Sequence, residues 1–331
     1  MTGVFRTGDR VQLTGHKGRR NTITLAEGGV FHTHRGTLAH ELLIGQPDGS
    51  VVTGSDGTPY LALKPLLTDY VMSMPRGAAI VYPKDAGQIL AAGDIALGQR
   101  VVEAGVGSGA LTLWLLRAVG GTGTVHSVER RAEFAEVAAD NVAGFFGGEA
   151  PGTWSLSIGD LADVLDAGEP AAADRVVLDM LAPWEVVPAV SRALAPGGVV
   201  VAYIATVPQL SRVVEALRDD GAFTEPLSTE TMVRGWHVDG LAVRPDHRMV
   251  AHTGFLVTAR RLADGTVAPR TSRRAPKTFS DEDVEVWTPG AVGEREQSAK
   301  RLRKTARQAA EIAGAVQQGH AEAADADPGA R

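Results

Sequence analysis

The chain has no cysteine among its 331 residues, which excludes a disulfide framework, a thiolate zinc site and a thiol nucleophile. It also lacks any apolar run near the ~18 residues that a membrane helix requires, and its first residues, Met-Thr-Gly-Val-Phe-Arg-Thr-Gly-Asp-Arg, carry no apolar stretch of the signal-peptide kind. The expectation is a soluble, cytoplasmic protein with no membrane partner. Nor is there an excess of positive charge. The formal net charge is -6, so any contact with nucleic acid must come from a local basic patch. With 44% hydrophobic residues, the chain can build a full α/β core, one smaller domain and a tail.

Residues 1 to about 65 alternate short β-like runs, Asp9–Thr14 and Asn21–Leu25, with the turn signals Pro47-Asp-Gly49 and Ser55-Asp-Gly57, which predicts a small β-rich N-terminal domain. From about 85 to 260 the pattern becomes apolar runs of strand length separated by amphipathic stretches, the signature of a doubly wound parallel sheet. Strands are predicted at Arg100–Ala104, Thr124–Val128, Trp154–Ile158, Arg175–Met180 and Gly198–Ile204. Several are almost continuously apolar, as strands buried on both faces should be. Leu210, Val213, Val214 and Leu217 fall at i, i+3, i+4 and i+7 behind Pro208, which predicts a helix there. Ser228–Trp236 and Gly254–Arg260 are expected to complete the sheet. The domain reading is therefore 1–65, 66–263 and 264–331. The last range is rich in Ala, Pro and mixed charge and reads as disordered or partly helical, with residues 294–316 as an alanine-rich helix.

The strand Arg100-Val-Val-Glu-Ala runs directly into Gly105-Val-Gly-Ser-Gly-Ala-Leu111. Glycines at a strand-to-helix turn let the backbone approach a ligand closely, with helix N–H groups pointing outward. Gly105, Gly107 and Ala110 also satisfy the dinucleotide pattern. Glu103 discriminates between the two readings, because an acid beside this turn would repel a pyrophosphate but attract the cationic amino group and sulfonium of S-adenosylmethionine. Glu129 closes the second strand, where a carboxylate can accept from ribose hydroxyls, and Asp160 follows the third, within reach of an adenine amine. Taken singly, Glu129 is an ordinary charged strand end and Asp160 a helix N-cap. Together, three acids at the carboxyl ends of successive strands predict a class I methyltransferase fold, Rossmann-like with a seven-stranded sheet. The cofactor would be S-adenosyl-L-methionine.

Arg175-Val-Val-Leu-Asp-Met-Leu-Ala-Pro-Trp-Glu185 places one acid, Asp179, at the end of an apolar strand and Trp184 behind a proline. A carboxylate there can accept from an exocyclic amine and stabilise charge developing on a methylated ring nitrogen. Trp184 either walls the pocket and stacks on a base, or simply packs in the core.

Several segments across residues 1–262 resemble the bacterial and archaeal tRNA (adenine-58-N1)-methyltransferases, the actinobacterial form in particular. They are Arg76-Gly-Ala-Ala-Ile-Val-Tyr-Pro-Lys-Asp85, Glu103–Leu111, Leu178–Glu185, Val201-Ala-Tyr203, Arg234-Gly-Trp236 and His252-Thr-Gly-Phe-Leu256. The resemblance implies a homotetramer that methylates ring nitrogen-1 of an adenine in the T-loop of tRNA. It also implies cofactor contacts from the residues at Val81, Ser108, Gly109, Ala110, Leu111, Glu129, Phe134, Asp160, Leu161 and Asp179. Tyr82, Trp184, Tyr203 and His252 would border the target base, with Asp179 contacting it. Ala79 stands where the family commonly has glutamine. The tail beyond about residue 265 falls outside the match.

The evident basic clusters for a tRNA backbone are His16-Lys-Gly-Arg-Arg20 and Arg270–Lys277. His32, His34 and His40 lie close in sequence but have no acid or cysteine to complete a tetrahedron, and no metal is expected. Rival readings are a methyltransferase of the same fold with another substrate, a non-catalytic tRNA-binding subunit and a dinucleotide oxidoreductase. The intact Glu103, Glu129 and Asp179 speak against lost catalysis.

Overall fold

The structure, a computed structural model, describes residues 3–269 and 299–326, with side chains described up to residue 319. The basic stretch Arg270–Lys277, the acids Asp281–Asp283 and the first five residues of the helix predicted over 294–316 lie outside the described residues. The described residues divide into two compact units, one drawn from the ranges 1–78, 136–151 and 299–331 and the other from 79–135 and 152–298.

In the first unit β1 (Arg10–Thr14), β2 (Arg20–Thr24), β3 (Val30–His32), β4 (Thr37–Ala39), β5 (Val51–Thr53) and β6 (Pro59–Leu63) form antiparallel pairs. Four of them make a sheet in the order β2-β1-β6-β5. Strict alternation in β6 sends Tyr60 and Ala62 inward, onto a core with Phe5, Val11, Leu13, Leu25, Leu38 and Leu43. The helix α1 (Leu67–Ser73) buries Leu67, Tyr70 and Val71, and the Arg10 guanidinium lies 4.7 Å from the Tyr70 ring centre.

The second unit carries α2 (Pro83–Ala92), β7 (Arg100–Ala104), α3 (Ala110–Val119), β8 (Thr124–Glu129), β9 (Trp154–Ile158), α5 (Leu161–Asp166), β10 (Ala173–Leu178), α6 (Val187–Ala193), β11 (Leu194–Ile204) and α7 (Val207–Asp220), followed by β12 (Leu227–Glu230), β13 (Val233–Asp239), β14 (Ala242–Val250) and β15 (Phe255–Arg260). The helix α4 (Ala132–Phe145) contributes its first residues to this unit and the remainder to the other. Seven strands form one sheet in the order β12-β15-β11-β10-β7-β8-β9, with β15 antiparallel to β11. Five strands were legible within a few residues. The chain runs outward from β7 to β9 and then returns to lay β10 on the other side of β7. That reversal puts a crevice at the carboxyl ends of β7, β8 and β10.

The predicted helix is α7. Thr206 caps it by accepting from the Gln209 amide at 3.4 Å, Pro208 occupies its first turn and Gly221 at φ +76° ends it. Val213 and Leu217 are fully buried, with Leu210 and Val214 packed against the same core, and each such side chain contributes about 1.5–3 kcal/mol.

The stretch Ser228–Trp236 does not continue the sheet as expected. Its first part is β12, and the chain then leaves to form the separate β13–β14 hairpin, turning at Gly240 with φ +55°. The Asp239-Gly240 dipeptide is a turn signal of the strongest kind, and both flanking strands are exposed apart from the half-buried Pro245. In the first unit, α8 (Ala299–Ala326) buries Ala309, Ala313 and Val316 of the apolar stripe Leu302, Ala306, Ala309, Ala313 and Val316 in the sequence, leaves Leu302 and Ala306 half-buried, and buries Thr305 beside them. Small residues let it come close: a Cβ added at Gly319 would lie 1.8 Å from the Thr7 carbonyl oxygen.

Candidate active site

The strand β7 delivers Glu103 into the sheet interior, fully buried, and then breaks into the glycine turn. Gly109, at φ +78°, forms the left-handed entry to α3. At Gly105 the constraint is space. An added Cβ would sit 3.3 Å from the Asp179 carbonyl oxygen and 3.4 Å from Glu129 Oε2, so the turn is pressed against the ends of both neighbouring strands. Gly105 N–H donates to the Asp179 carbonyl at 3.2 Å, and Gly107 N–H donates to Glu129 Oε2 at 3.1 Å. The second carboxylate is thus built into the turn rather than hanging at a strand end.

Glu103 Oε2 accepts from the hydroxyls of Ser127 at 2.6 Å and Thr112 at 2.7 Å, while the Trp154 indole N–H donates to Ser127 Oγ at 2.9 Å. Its other oxygen, Oε1, is buried with no hydrogen-bond partner among the described residues. Desolvation pushes this carboxyl up to about 7; the Ser127 and Thr112 hydrogen bonds oppose the rise, and the Asp179 and Glu129 charges add to it. Asp179, partly exposed at the rim, is also pushed up to about 7, first by desolvation and then by Glu129. Three mutually repelling carboxyls around an orphaned oxygen form a site short of positive charge. A ligand with a cationic amino group and sulfonium fits it, whereas a pyrophosphate would meet the acids.

The other cofactor candidates take different places. Phe134 and Leu161 are buried, and the Arg131 guanidinium lies 3.8 Å from the Phe134 ring centre while also donating to Glu129 Oε1. Val81, Ala110 and Leu111 are buried and Ser108 is almost fully enclosed. Asp160 is exposed and caps α5 by accepting from the Ala162 amide at 3.0 Å, with Arg130 3.8 Å from its other oxygen.

Of the candidates for the target base, Tyr82 is exposed at the entry to α2, and Tyr203 lies across Gly254, whose added Cβ would be 2.5 Å from the ring. Burial raises the Tyr203 phenol, which therefore stays neutral. Trp184 packs against the core with Arg212 4.0 Å from its ring centre, so one face is covered. His252 is exposed; its Nδ1 pairs with Glu230 Oε1 at 2.7 Å and its Nε2 with the Ala205 carbonyl at 3.2 Å. Two acceptors require both ring nitrogens to donate, and the Glu230 hydrogen bond accordingly raises the imidazole. Ala79 is exposed.

Sequence reasoning missed a knot at the rim. Lys84 Nζ donates to Asp85 Oδ1 at 2.7 Å, the Thr231 carbonyl at 2.7 Å and Thr253 Oγ1 at 2.6 Å, and Thr253 in turn bonds Asp85 Oδ2. Both charged side chains are almost fully buried. The knot ties the segment that follows Tyr82 to the segments that carry His252 and frame Tyr203. Its signal was the Tyr82-Pro-Lys-Asp85 segment, which carries the family resemblance but by itself assigns the Lys84-Asp85 pair no role. Among the described residues no group of His, Asp and Glu is arranged to hold a metal ion, and no helix is long and apolar enough to cross a membrane. His40 accepts the Ala26 amide hydrogen bond on Nδ1.

Comparison with known proteins matches residues 61–244 to the family described as tRNA methyltransferase complex GCD14 subunit and residues 3–52 to that described as TrmI-like N-terminal. The chain is 38% identical over 253 residues to the tRNA (adenine(58)-N(1))-methyltransferase TrmI of Thermus thermophilus, covering 75% of this chain and 95% of that enzyme. To the tRNA (adenine(57)-N(1)/adenine(58)-N(1))-methyltransferase TrmI of Methanocaldococcus jannaschii it is 33% identical, over 64% of this chain and 82% of that one. Among solved structures, an S-adenosylmethionine-dependent O-methyltransferase from Thermotoga maritima superposes with a TM-score of 0.74 at 28% identity, over 80% of this chain and 97% of that one. The tRNA (m1A58) methyltransferase TrmI of Aquifex aeolicus gives 0.68 at 25% identity, over 78% and 99%.

Proposed function

Because the chain belongs to the tRNA methyltransferase family that includes the bacterial and archaeal TrmI enzymes, we infer that it transfers a methyl group from S-adenosyl-L-methionine to ring nitrogen-1 of adenine 58 in the T-loop of tRNA, giving 1-methyladenosine. The observation that carries this is the match along 95% of the Thermus enzyme's length. The orphaned Glu103 oxygen supports it by giving the crevice the polarity that the methyl donor needs.

When bound, S-adenosylmethionine supplies a methyl group already activated by its sulfonium. Glu103 would hold the amino group of that ligand, Glu129 its ribose hydroxyls and Asp160 its adenine amine, and the peptide N–H groups of the Ser108–Leu111 turn would complete the cradle. Val81, Phe134 and Leu161 wall it. Extruding the target adenine from the tRNA fold takes a few kcal/mol, which stacking beside Tyr82 and Tyr203 offsets. Asp179 accepts from the exocyclic amine of the target, aims its ring nitrogen and stabilises the positive charge that develops on the ring. The attacking nitrogen has its own lone pair, so catalysis is chiefly positioning and electrostatic stabilisation rather than proton abstraction.

The chain acts as a homotetramer in the cytoplasm. The cysteine-free composition supports that compartment, and the β13–β14 hairpin supports self-association, because it presents Trp236, Val238, Leu241, Val243 and Met249 to solvent. Light scattering on the purified protein tests the assembly. The activity is tested with purified protein, labelled methyl donor and unmodified tRNA, with the product mapped to a nucleotide and ring position. Label on 1-methyladenosine at position 58 supports the reading. Label on a hydroxyl acceptor, as the description of the Thermotoga neighbour suggests, would replace it.

A further inference from the structure

In the first unit, the N-terminal end of α8 carries Lys300, Arg303, Lys304 and Arg307, all exposed, at i, i+3, i+4 and i+7. The spacing places them on one face about 10 Å long, opposite the buried Thr305 and Ala309. The first turn contains no acid, and only Arg307 of the four pairs with a described carboxylate, that of exposed Glu311 at 3.4 Å. Lys300, in the first turn, opposes the helix macrodipole, and the four like charges at this spacing repel one another, so the arrangement is unfavourable for the helix alone. An anionic partner neutralises the side chains and the dipole together.

The helix is held firmly enough to present such a face. Thr305 donates to the Arg76 carbonyl at 3.3 Å, close after α1, and Gly319 meets the Thr7 backbone too closely for any side chain. The exposed basic residues of the β1–β2 turn are tied to the same α1, through Arg20 and Asp69 at 3.6 Å. Both basic clusters belong to the same unit.

We propose that the Lys300–Arg307 face of α8 is a phosphate-contacting surface for the tRNA substrate. This rests on the activity inferred above. A face of this length matches about three phosphates of one strand, and it reads shape and charge rather than sequence.

The test uses the full chain with Lys300, Arg303, Lys304 and Arg307 all changed to Gln, a residue of similar helix propensity. Binding of unmodified tRNA is followed across a salt series, alongside methylation kinetics, methyl-donor affinity and thermal midpoint. At about 0.7–0.9 per released counterion, loss of about three phosphate contacts flattens the slope of log K against log salt by roughly 2–3 and weakens tRNA binding about tenfold or more at 0.1 M salt. KM for tRNA rises by the same factor, while kcat, donor affinity and thermal midpoint stay level or the midpoint rises. The charge-preserving variant Lys300→Arg/Arg303→Lys/Lys304→Arg/Arg307→Lys keeps wild-type affinity. A wild-type slope and affinity in the Gln variant overturn the proposal, as does equal loss in the charge-preserving variant, which places the effect in packing. Wild-type protein that methylates no tRNA overturns the inferred activity instead.

Discussion

Replacing Glu103 with Gln should stabilise the free protein at pH 8 while weakening its grip on the methyl donor. The carboxyl stands at about 7 in the fold against an ordinary 4.5. At ~1.4 kcal/mol per pH unit, that difference lowers native stability by roughly 3 kcal/mol once the pH exceeds both values. Because the folded value lies above the unfolded one, the native state binds more protons between them. Stability is therefore full below 4.5 and is lost as pH rises through about 7. The amide carries no charge to desolvate, and its oxygen still accepts from Ser127 and Thr112. The new NH2 takes the place of the orphaned Oε1 and sacrifices about 1 kcal/mol for want of a partner. The expected net is about 2 kcal/mol in favour of the variant at pH 8, a rise of several degrees in thermal midpoint that vanishes near pH 5. With the donor present the order reverses. A charge-assisted hydrogen bond worth about 1.5–3 kcal/mol is lost, and affinity measured by calorimetry falls about 10- to 100-fold. A variant that is less stable at pH 8, or that binds the donor as wild type does, refutes the reasoning.

Asp179→Ala should lower kcat by at least about 100-fold with the fold retained by circular dichroism; near-normal turnover removes its assigned role. Donor affinity should rise with pH through about 7 as Glu103 and Asp179 lose their protons, with proton release on binding detected by calorimetry in buffers of different ionisation enthalpy. Lys84→Met leaves Asp85 buried without its cation and should destabilise the protein by about 3 kcal/mol. Adding Asp85→Asn restores the thermal midpoint but not KM for tRNA if the ties to Thr231 and Thr253 set the gap between Tyr82 and Tyr203. Gly319→Ala should destabilise by about 1–3 kcal/mol, read by denaturant unfolding, although alanine favours helix by about 1 kcal/mol, because the methyl meets the Thr7 carbonyl.

The central sheet was legible because its strands carry near-continuous apolar runs, which local pattern alone can register. The glycine turn was legible for a related reason. The requirement for positive φ at Gly109 and for close approach at Gly105 leaves few residue types able to stand there. Ser228–Trp236 misled because apolar content does not reveal which sheet a strand joins. The Asp239-Gly240 turn, which commits the chain to a hairpin of its own, lies beyond the stretch that was read. For α8 the periodic stripe was visible, but the depth of its packing was not, since that depends on backbone contacts of Gly8, Gly148 and Gly319 with residues far away in sequence.

The site divides along the same line. Glu103, Glu129 and Asp179 could be placed at the carboxyl ends of their strands because position along a strand translates directly into position at the rim; that β8 and β10 both flank β7 is what the sheet order adds. Which oxygen of Glu103 is already engaged could not be seen, because the partners Thr112 and Ser127 come from a helix and a neighbouring strand. That pairing matters chemically. Two hydroxyls on Oε2 fix the carboxyl's orientation and leave Oε1 as the one buried acceptor at the crevice without a partner among the described residues. Without them the same buried acid would have no fixed orientation and neither oxygen would have a partner. On the proposed reading, specificity for a cationic ligand rests on the residues that use up the other half of the carboxylate as much as on the carboxylate itself. Moving either hydroxyl should change donor affinity without touching the donor.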